Sequence, residues 1–263
     1  MTPAVMQPLS AWPAEARRQL RGVFTDIDDT LTRDGAITSD ALQALHELKD
    51  AGLVVIPITG RPMGWSEPFA RAWPVAAIVP ENGALAVLPD GRRLYVQDEA
   101  TRTHNARRLG EVAQRILVEV PGAHLARDSA GRVTDIAIDH SEFTHLPQER
   151  IDQVVALMQS EGMVATVSSI HINGWFGTHG KWSGACWIVR ELLGIDLASE
   201  LDRWAYVGDS TNDQPMFERF AHSVGVANIA RFVPQMQHLP RYVTPSERGS
   251  GFAEVAHAVL AAR

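Results

Sequence analysis

Three short apolar runs constrain this chain most: RGVFT (21 to 25), LVVIPI (53 to 58) and RWAYVG (203 to 208), each of which stops abruptly on polar residues. Runs rich in β-branched and aromatic residues, too short for helices, read as buried strands. The first run leads on to SDALQALHELKDAG (39 to 52), where Leu42, Leu45 and Leu48 share one side, Ser39 is placed to cap the start and Gly52 lies just past the end. Strands alternating with such helices predict a parallel sheet wrapped by helices. In that architecture the strand ends share one edge, where ligands bind. Asp26, Thr59-Gly60-Arg61 and Asp209-Ser210-Thr211-Asn212-Asp213 are therefore expected to meet, although the first and last lie far apart in the sequence.

The remaining pattern divides the chain. A short helix is expected over about Met63 to Ala72, a third strand over VAAIVP (75 to 80) ending at Glu81-Asn82-Gly83, and a hairpin around Pro89-Asp90-Gly91. Between about residues 100 and 175 the order changes to αββαββ, which predicts a separate antiparallel sheet with helices on one face, inserted into the first domain. The βα alternation then resumes with a helix over 181 to 194, a strand over 203 to 208, a helix near 213 to 220, a strand over 222 to 227 and a closing helix over 250 to 262. The expected division is 1–84 and 179–263 for the core and 85–178 for the inserted unit.

Composition narrows the function. With 45% hydrophobic and 21% charged residues the 263-residue chain is an ordinary globular one, and no apolar run approaches the roughly 18 residues of a membrane span. The beginning of the chain does not read as a secretory signal, and the single cysteine, Cys186, excludes internal disulfides and cysteine-cluster zinc sites. A cytoplasmic location is the expectation, with Cys186 as core filler. A net charge of -7 without a basic block argues against nucleic acid as a partner. His140 and His145 fit no common zinc spacing, and GWFGTHGKWS departs from a P-loop because Gly174 is one residue too far from Gly180 and Trp182 stands in place of Ser or Thr. Trp65 and Trp73 are expected in the core.

The stretch GVFTDIDDTLTRDG crowds Asp26, Asp28 and Asp29 into four positions. Their repulsion costs free energy unless positive charge sits among them. Hard oxygen ligands of this kind suit Mg²⁺, and a Mg²⁺ ion there would shield an incoming phosphate from the carboxylates. A turn-forming or capping role alone explains each aspartate singly but not two acid clusters, a hydroxyl and an arginine all at strand ends.

Asp26-Ile27-Asp28-Asp29-Thr30 resembles the DxDxT motif of the haloacid dehalogenase (HAD) superfamily of phosphohydrolases. Ile58-Thr59-Gly60-Arg61-Pro62 resembles its second motif and Gly208-Asp209-Ser210-Thr211-Asn212-Asp213 its fourth; Lys181 stands where the third-motif lysine falls. The αββαββ insertion and Glu81-Asn82-Gly83-Ala84 resemble the type IIB cap subgroup, the Cof-like and sugar-phosphate phosphatases. The resemblance implies an α/β fold, a Rossmann-like parallel-sheet core carrying an inserted α+β cap. It implies a Mg²⁺-dependent phosphatase of a small phosphorylated metabolite such as a sugar phosphate or glycosylated phosphate compound. Asp26 would be the nucleophile that forms an aspartyl-phosphate, Asp28 the general acid and base, and Thr59 and Lys181 the holders of phosphoryl oxygens. Asp26, Asp28 through its carbonyl, and Asp209 would bind the metal, supported by Asp213. Gly60, Arg61, Asn82 and Asn212 at the strand ends are expected on the substrate side. His171 and Asn173, which share a cap-sheet face with Trp175, either read the substrate or pack. Asp29, often glycine in such enzymes, is expected to cap the turn that follows. A phosphomutase or phosphotransferase and a non-catalytic sugar-phosphate sensor are the alternative functions.

Overall fold

The computed structural model describes residues 6–263. Six parallel strands form the core sheet in the order Gln7–Pro8, Tyr242–Val243, His222–Gly225, Trp204–Gly208, Gly22–Thr25, Val54–Pro57. From Gly22–Thr25 the chain steps to Val54–Pro57 on one side, whereas from its neighbour Trp204–Gly208 it steps away on the other, so the topological switch point lies between these two strands. Alternate residues face opposite layers. Val23, Val55, Ala205 and Val207 pack with the helices Ser39–Asp50 and Arg248–Leu260; Phe24, Ile56, Trp204 and Tyr206 pack with Lys181–Leu193 and Gln214–Arg219. Both faces are covered, which is why the strands read as continuous apolar runs rather than as alternating ones.

A second sheet of four antiparallel strands runs in the order Val164–Val167, His171–Trp175, Asp135–Asp139, His124–Leu125. The helices Glu99–Glu119 and Gln148–Ser160 cover one face with their own apolar cluster around Ile116, Ile138, Val154 and Ile172. The mixed α/β class, with a parallel core and an αββαββ cap, is therefore as the sequence predicts. The hairpin Leu85–Val87 with Arg93–Tyr95, inside the stretch expected to form the cap, places Leu85 and Val87 in one core-domain cluster and Ala86 in the other.

Local expectations need correction in several places. Residues 75 to 80 make no regular strand: Val79 N bonds to Pro57 O and Ile78 pairs with Val87, because the prolines at 57, 74 and 80 remove the donors a ladder needs. The helix over Ser39–Asp50 is capped by Thr38, whose hydroxyl accepts from Ala41 N, and not by Ser39. The first cap helix starts at Glu99, where Asp98 accepts from Thr101 N at 2.8 Å. The closing helix starts at Arg248. The first strand of the cap sheet is regular only over His124–Leu125. The edge strands at residues 7–8 and 242–243 and the small hairpin Thr32–Arg33/Ala36–Ile37 carry no periodic signal long enough to read. Trp73 is buried and Trp65 half-buried against the same cluster, and Cys186 is partly buried against the other face, where burial pushes its thiol pKa up.

Candidate active site

Register alone brings the acids together. Thr25 lies opposite both Val207 and Pro57, Asp26 N bonds to Val207 O at 2.8 Å and Ile58 N to Thr25 O at 2.8 Å, so Asp26, Thr59 and Asp209 leave the sheet on one edge. Carboxylate oxygens of Asp26, Asp209 and Asp213, all buried, lie within 4.8 Å of one another. Lys181 reaches them from the start of its helix, donating to Asp26 Oδ1 at 2.6 Å and Asp213 Oδ1 at 2.7 Å. Two glycine contacts seat that helix: a Cβ on Gly184 would stand 2.5 Å from Gly83 Cα, and one on Gly83, at φ +97°, would stand 2.4 Å from Gly180 O. The Glu81-Asn82-Gly83 turn and the lysine helix can touch only because both positions lack side chains.

Asp213 is saturated. Its Oδ1 also accepts from the Tyr206 hydroxyl, and its Oδ2 accepts from the Asp209 and Ser210 amides at 2.9 and 3.1 Å. Gly208 leaves room for it, since a Cβ there would meet Asp213 Oδ2 at 2.5 Å. Asp26 and Asp209 are less fully partnered. Lys181 occupies only Oδ1 of Asp26, and Asp209 Oδ1 has only a 3.5 Å contact from Thr30, while its Oδ2 accepts from Asn228 at 2.9 Å. Burial, with Asp213 and Asp28 adding to it and Lys181 opposing, pushes Asp26 up to about 7, and burial with the neighbouring acids holds Asp209 well above the usual carboxylate range. With all three ionised, the buried carboxylates facing one ammonium would leave an excess of two negative charges for a cation to balance. The donor set, hard oxygens with open positions on Asp26 and Asp209, fits a divalent ion of the Mg²⁺ kind.

Asp28 and Asp29 diverge, because the chain turns here and Asp29 stands in the left-handed backbone region. Asp28 is held by Arg61, whose Nε lies 2.9 and 3.0 Å from its two oxygens. The same guanidinium grips the cap, at 3.2 Å to Asp128 and 2.8 Å to Glu142, whose other oxygen accepts from His171 Nε2 at 2.8 Å. Burial alone would raise Glu142, but the His171 hydrogen bond and the Arg61 charge outweigh it and hold its pKa at about 2. Asp29 does not cap the following turn as expected. It stands at φ +55° and pairs with Arg231 at 2.8 Å and Arg248 at 2.9 Å, because two arginines from distant parts of the chain compete better for its carboxylate than local amides do.

Thr59 is fully buried, its hydroxyl accepting from Arg61 N at 3.1 Å. The other expected substrate-side residues spread around the cap–core seam. Gly60 O accepts from Asn173 at 3.3 Å and from Arg132 at 2.9 Å, Asn212 accepts from the Ser210 hydroxyl at 2.9 Å, and Asn82 is buried at φ +56° with its Nδ2 unpaired. A cavity of about 500 Å³ opens between core and cap beside Asp28, Asp29, Arg61, Glu142, Arg231 and Arg248. Of the six expected substrate-side residues only Arg61 lines it. Sequence reasoning missed Tyr206, Glu142, Asn228, Arg231 and Arg248. The Tyr206 hydroxyl could have been suspected as a polar group inside an apolar strand; the others carry no local signal.

Comparison with known proteins now bears on this edge of acids. Residues 23–114 match the model of the haloacid dehalogenase-like hydrolase family. Over that stretch the chain is similar to the haloacid dehalogenase-like hydrolases. A phosphoglycolate phosphatase of Methanothrix thermoacetophila is 27% identical over 243 residues, covering 92% of this chain and 98% of that protein. A Streptococcus pyogenes protein named as a phosphatase is 25% identical, covering 90% of this chain and 96% of its own length. In fold, the chain resembles the sucrose-phosphatase of Synechocystis sp. PCC6803, solved with sucrose and phosphate, at a TM-score of 0.65 and 19% identity over 92% of this chain and 98% of that one. Among the described residues no helix is long and apolar enough to cross a membrane.

Proposed function

We propose that the enzyme is a Mg²⁺-dependent phosphatase that hydrolyses a small phosphorylated metabolite, a sugar phosphate or glycosylated phosphate compound, through an aspartyl-phosphate on Asp26. One observation carries this reading: Asp26, buried at the switch-point edge, shares Lys181 with Asp213 and stands beside Asp209. Asp26 and Asp209 would hold Mg²⁺ together with the Asp28 carbonyl, and Asp213 would keep Lys181 and the Asp209 loop in place. The ion supplies positive charge that neutralises phosphoryl oxygens. With that charge balanced, Asp26 is ionised at neutral pH and its free Oδ2 attacks phosphorus. Lys181 and Thr59 orient the phosphoryl oxygens. Asp28 donates a proton to the leaving alkoxide and then takes one from the hydrolytic water.

The division into 1–84 and 179–263 as core and 85–178 as cap is part of the same proposal, with the hairpin Leu85–Tyr95 as the portion of the inserted stretch that rests on the core. Arg61, bridging Asp28 to Asp128 and Glu142, ties cap position to the reacting edge. A cap over the site leaves space for small ligands. The resemblance of fold to a sucrose-phosphatase supports a sugar-bearing substrate. The test is phosphate release across a panel of phosphorylated metabolites with and without Mg²⁺. Metal-dependent release from small esters is expected, and no release from any of them would overturn the reading.

A further inference from the structure

We propose that the hydroxyl of Tyr206 is a positioning group for the reaction: acting through Asp213, it sets how Lys181 divides its charge between Asp213 and the phosphoryl end of the site at Asp26. This rests on the phosphatase reading above and adds a residue to it. Tyr206 lies in the strand Trp204–Gly208 that leads into Asp209, and it is fully buried. Its ring packs with Phe217 and Phe220, at centroid separations of 5.7 and 5.9 Å. For packing alone a phenylalanine would serve, as it does at those two positions and at Phe24 in the same layer. A buried hydroxyl costs free energy unless it is hydrogen-bonded, and among the described residues this one has a single partner, Asp213 Oδ1. Gly208 makes the meeting possible. A Cβ there would stand 2.5 Å from Asp213 Oδ2 and 2.9 Å from Tyr206 Cε1.

Oδ1 of Asp213 is also where Lys181 is anchored, at 2.7 Å. Oδ2 is taken by the amides of Asp209 and Ser210, at 2.9 and 3.1 Å, so the carboxylate cannot turn to offer the lysine its other oxygen. Tyrosine and lysine therefore share one acceptor. The positive hydrogen of the hydroxyl, lying against Oδ1, reduces the pull of that oxygen on the ammonium. Lys181 has a second carboxylate, Asp26 Oδ1 at 2.6 Å, and an ammonium has three donors, which leaves one for a phosphoryl oxygen. With the hydroxyl present, the ammonium is held between both acids. Without it, Asp213 would hold Lys181 more tightly and draw its charge away from Asp26 and from phosphoryl oxygens bound there.

The experiment compares the wild type with Tyr206→Phe and Tyr206→Met. Both remove the hydroxyl while filling the space, and the adaptable methionine serves should the phenylalanine variant not fold. Hydrolysis of p-nitrophenyl phosphate with Mg²⁺ gives KM and kcat, inhibition by inorganic phosphate gives Ki, and calorimetry gives phosphate binding without turnover. In each variant KM and Ki are expected to rise together by about tenfold, the scale of one hydrogen bond to a charged group, with kcat within about threefold of the wild type. A hydroxyl that only stabilises the strand would lower Tm and the active fraction, hence kcat, and leave KM and Ki unchanged. That result overturns the proposal, as do variants indistinguishable from the wild type. A wild type that hydrolyses neither this ester nor any of the metabolite panel defeats the phosphatase reading, and calorimetry then decides the role of Tyr206 separately. Phosphate bound about tenfold more weakly by the variants supports that role, and equal binding overturns it. A wild type that neither hydrolyses esters nor binds phosphate overturns both.

Discussion

Asp28 and Asp29 are adjacent and chemically identical, yet their surroundings give them different work. Arg61 ties the first to the cap side of the cavity, and Arg231 with Arg248 hold the second on the core side. If Asp28 shuttles protons, Asp28→Asn should slow alkyl phosphates by about 10²- to 10⁴-fold, the usual contribution of a positioned acid or base. Hydrolysis of p-nitrophenyl phosphate, whose leaving group needs no proton, should suffer much less in the first step. Initial rates on the two ester types decide it; an equal loss on both would remove the role of acid from Asp28. The pairing of Asp26 and Asp28 with a third acid was legible in the sequence, but the partner of each was not. Arg231 and Arg248 follow Asp29 by some two hundred residues, and no local pattern announces a contact made by tertiary packing.

At the level of elements, legibility followed the length and regularity of the pattern. Strands with both faces covered and helices with several apolar turns were readable, and their carboxyl ends located Asp26, Thr59 and Asp209. Elements of two residues, and the stretch broken by Pro74 and Pro80, were not. The seam between core and cap depends on groups that sequence cannot rank. Glu81, fully buried, accepts from the amides of Met63, Val133 and Thr134 and from the Thr134 hydroxyl, tying a core helix to the cap. Glu81→Ala strands those donors and should cost about 3 kcal/mol, seen as a fall of roughly 6–12 °C in Tm. A change under a degree would deny Glu81 that role. His179, where the chain returns from cap to core, stacks on Trp175 with neither ring nitrogen hydrogen-bonded, and burial pushes its pKa down to about 4. The folded form keeps this ring neutral while the unfolded chain protonates near 6.5, so its contribution is fully present above about pH 6.5 and lost as pH falls toward 4. The Tm advantage of wild type over His179→Gln should shrink across that window; a constant difference would contradict the assignment.

The whole molecule concentrates negative charge where core and cap meet, and a divalent cation bound there would balance it. Mg²⁺ should therefore stabilise the fold, by about 2.7 kcal/mol at a hundred times its Kd. A thermal melt with and without Mg²⁺ should show a clear rise for the wild type and little for Asp209→Asn, which removes a ligand charge. Equal shifts in both would place the ion elsewhere. The central claim is that Asp26 is the nucleophile. Its most direct test is the rate of phosphate release from p-nitrophenyl phosphate with Mg²⁺ by wild type and Asp26→Asn side by side. The account predicts release by the wild type and a loss of at least ~10³-fold in the variant, whose amide keeps the shape but cannot form the aspartyl-phosphate. A variant turning over within tenfold of wild type would contradict it.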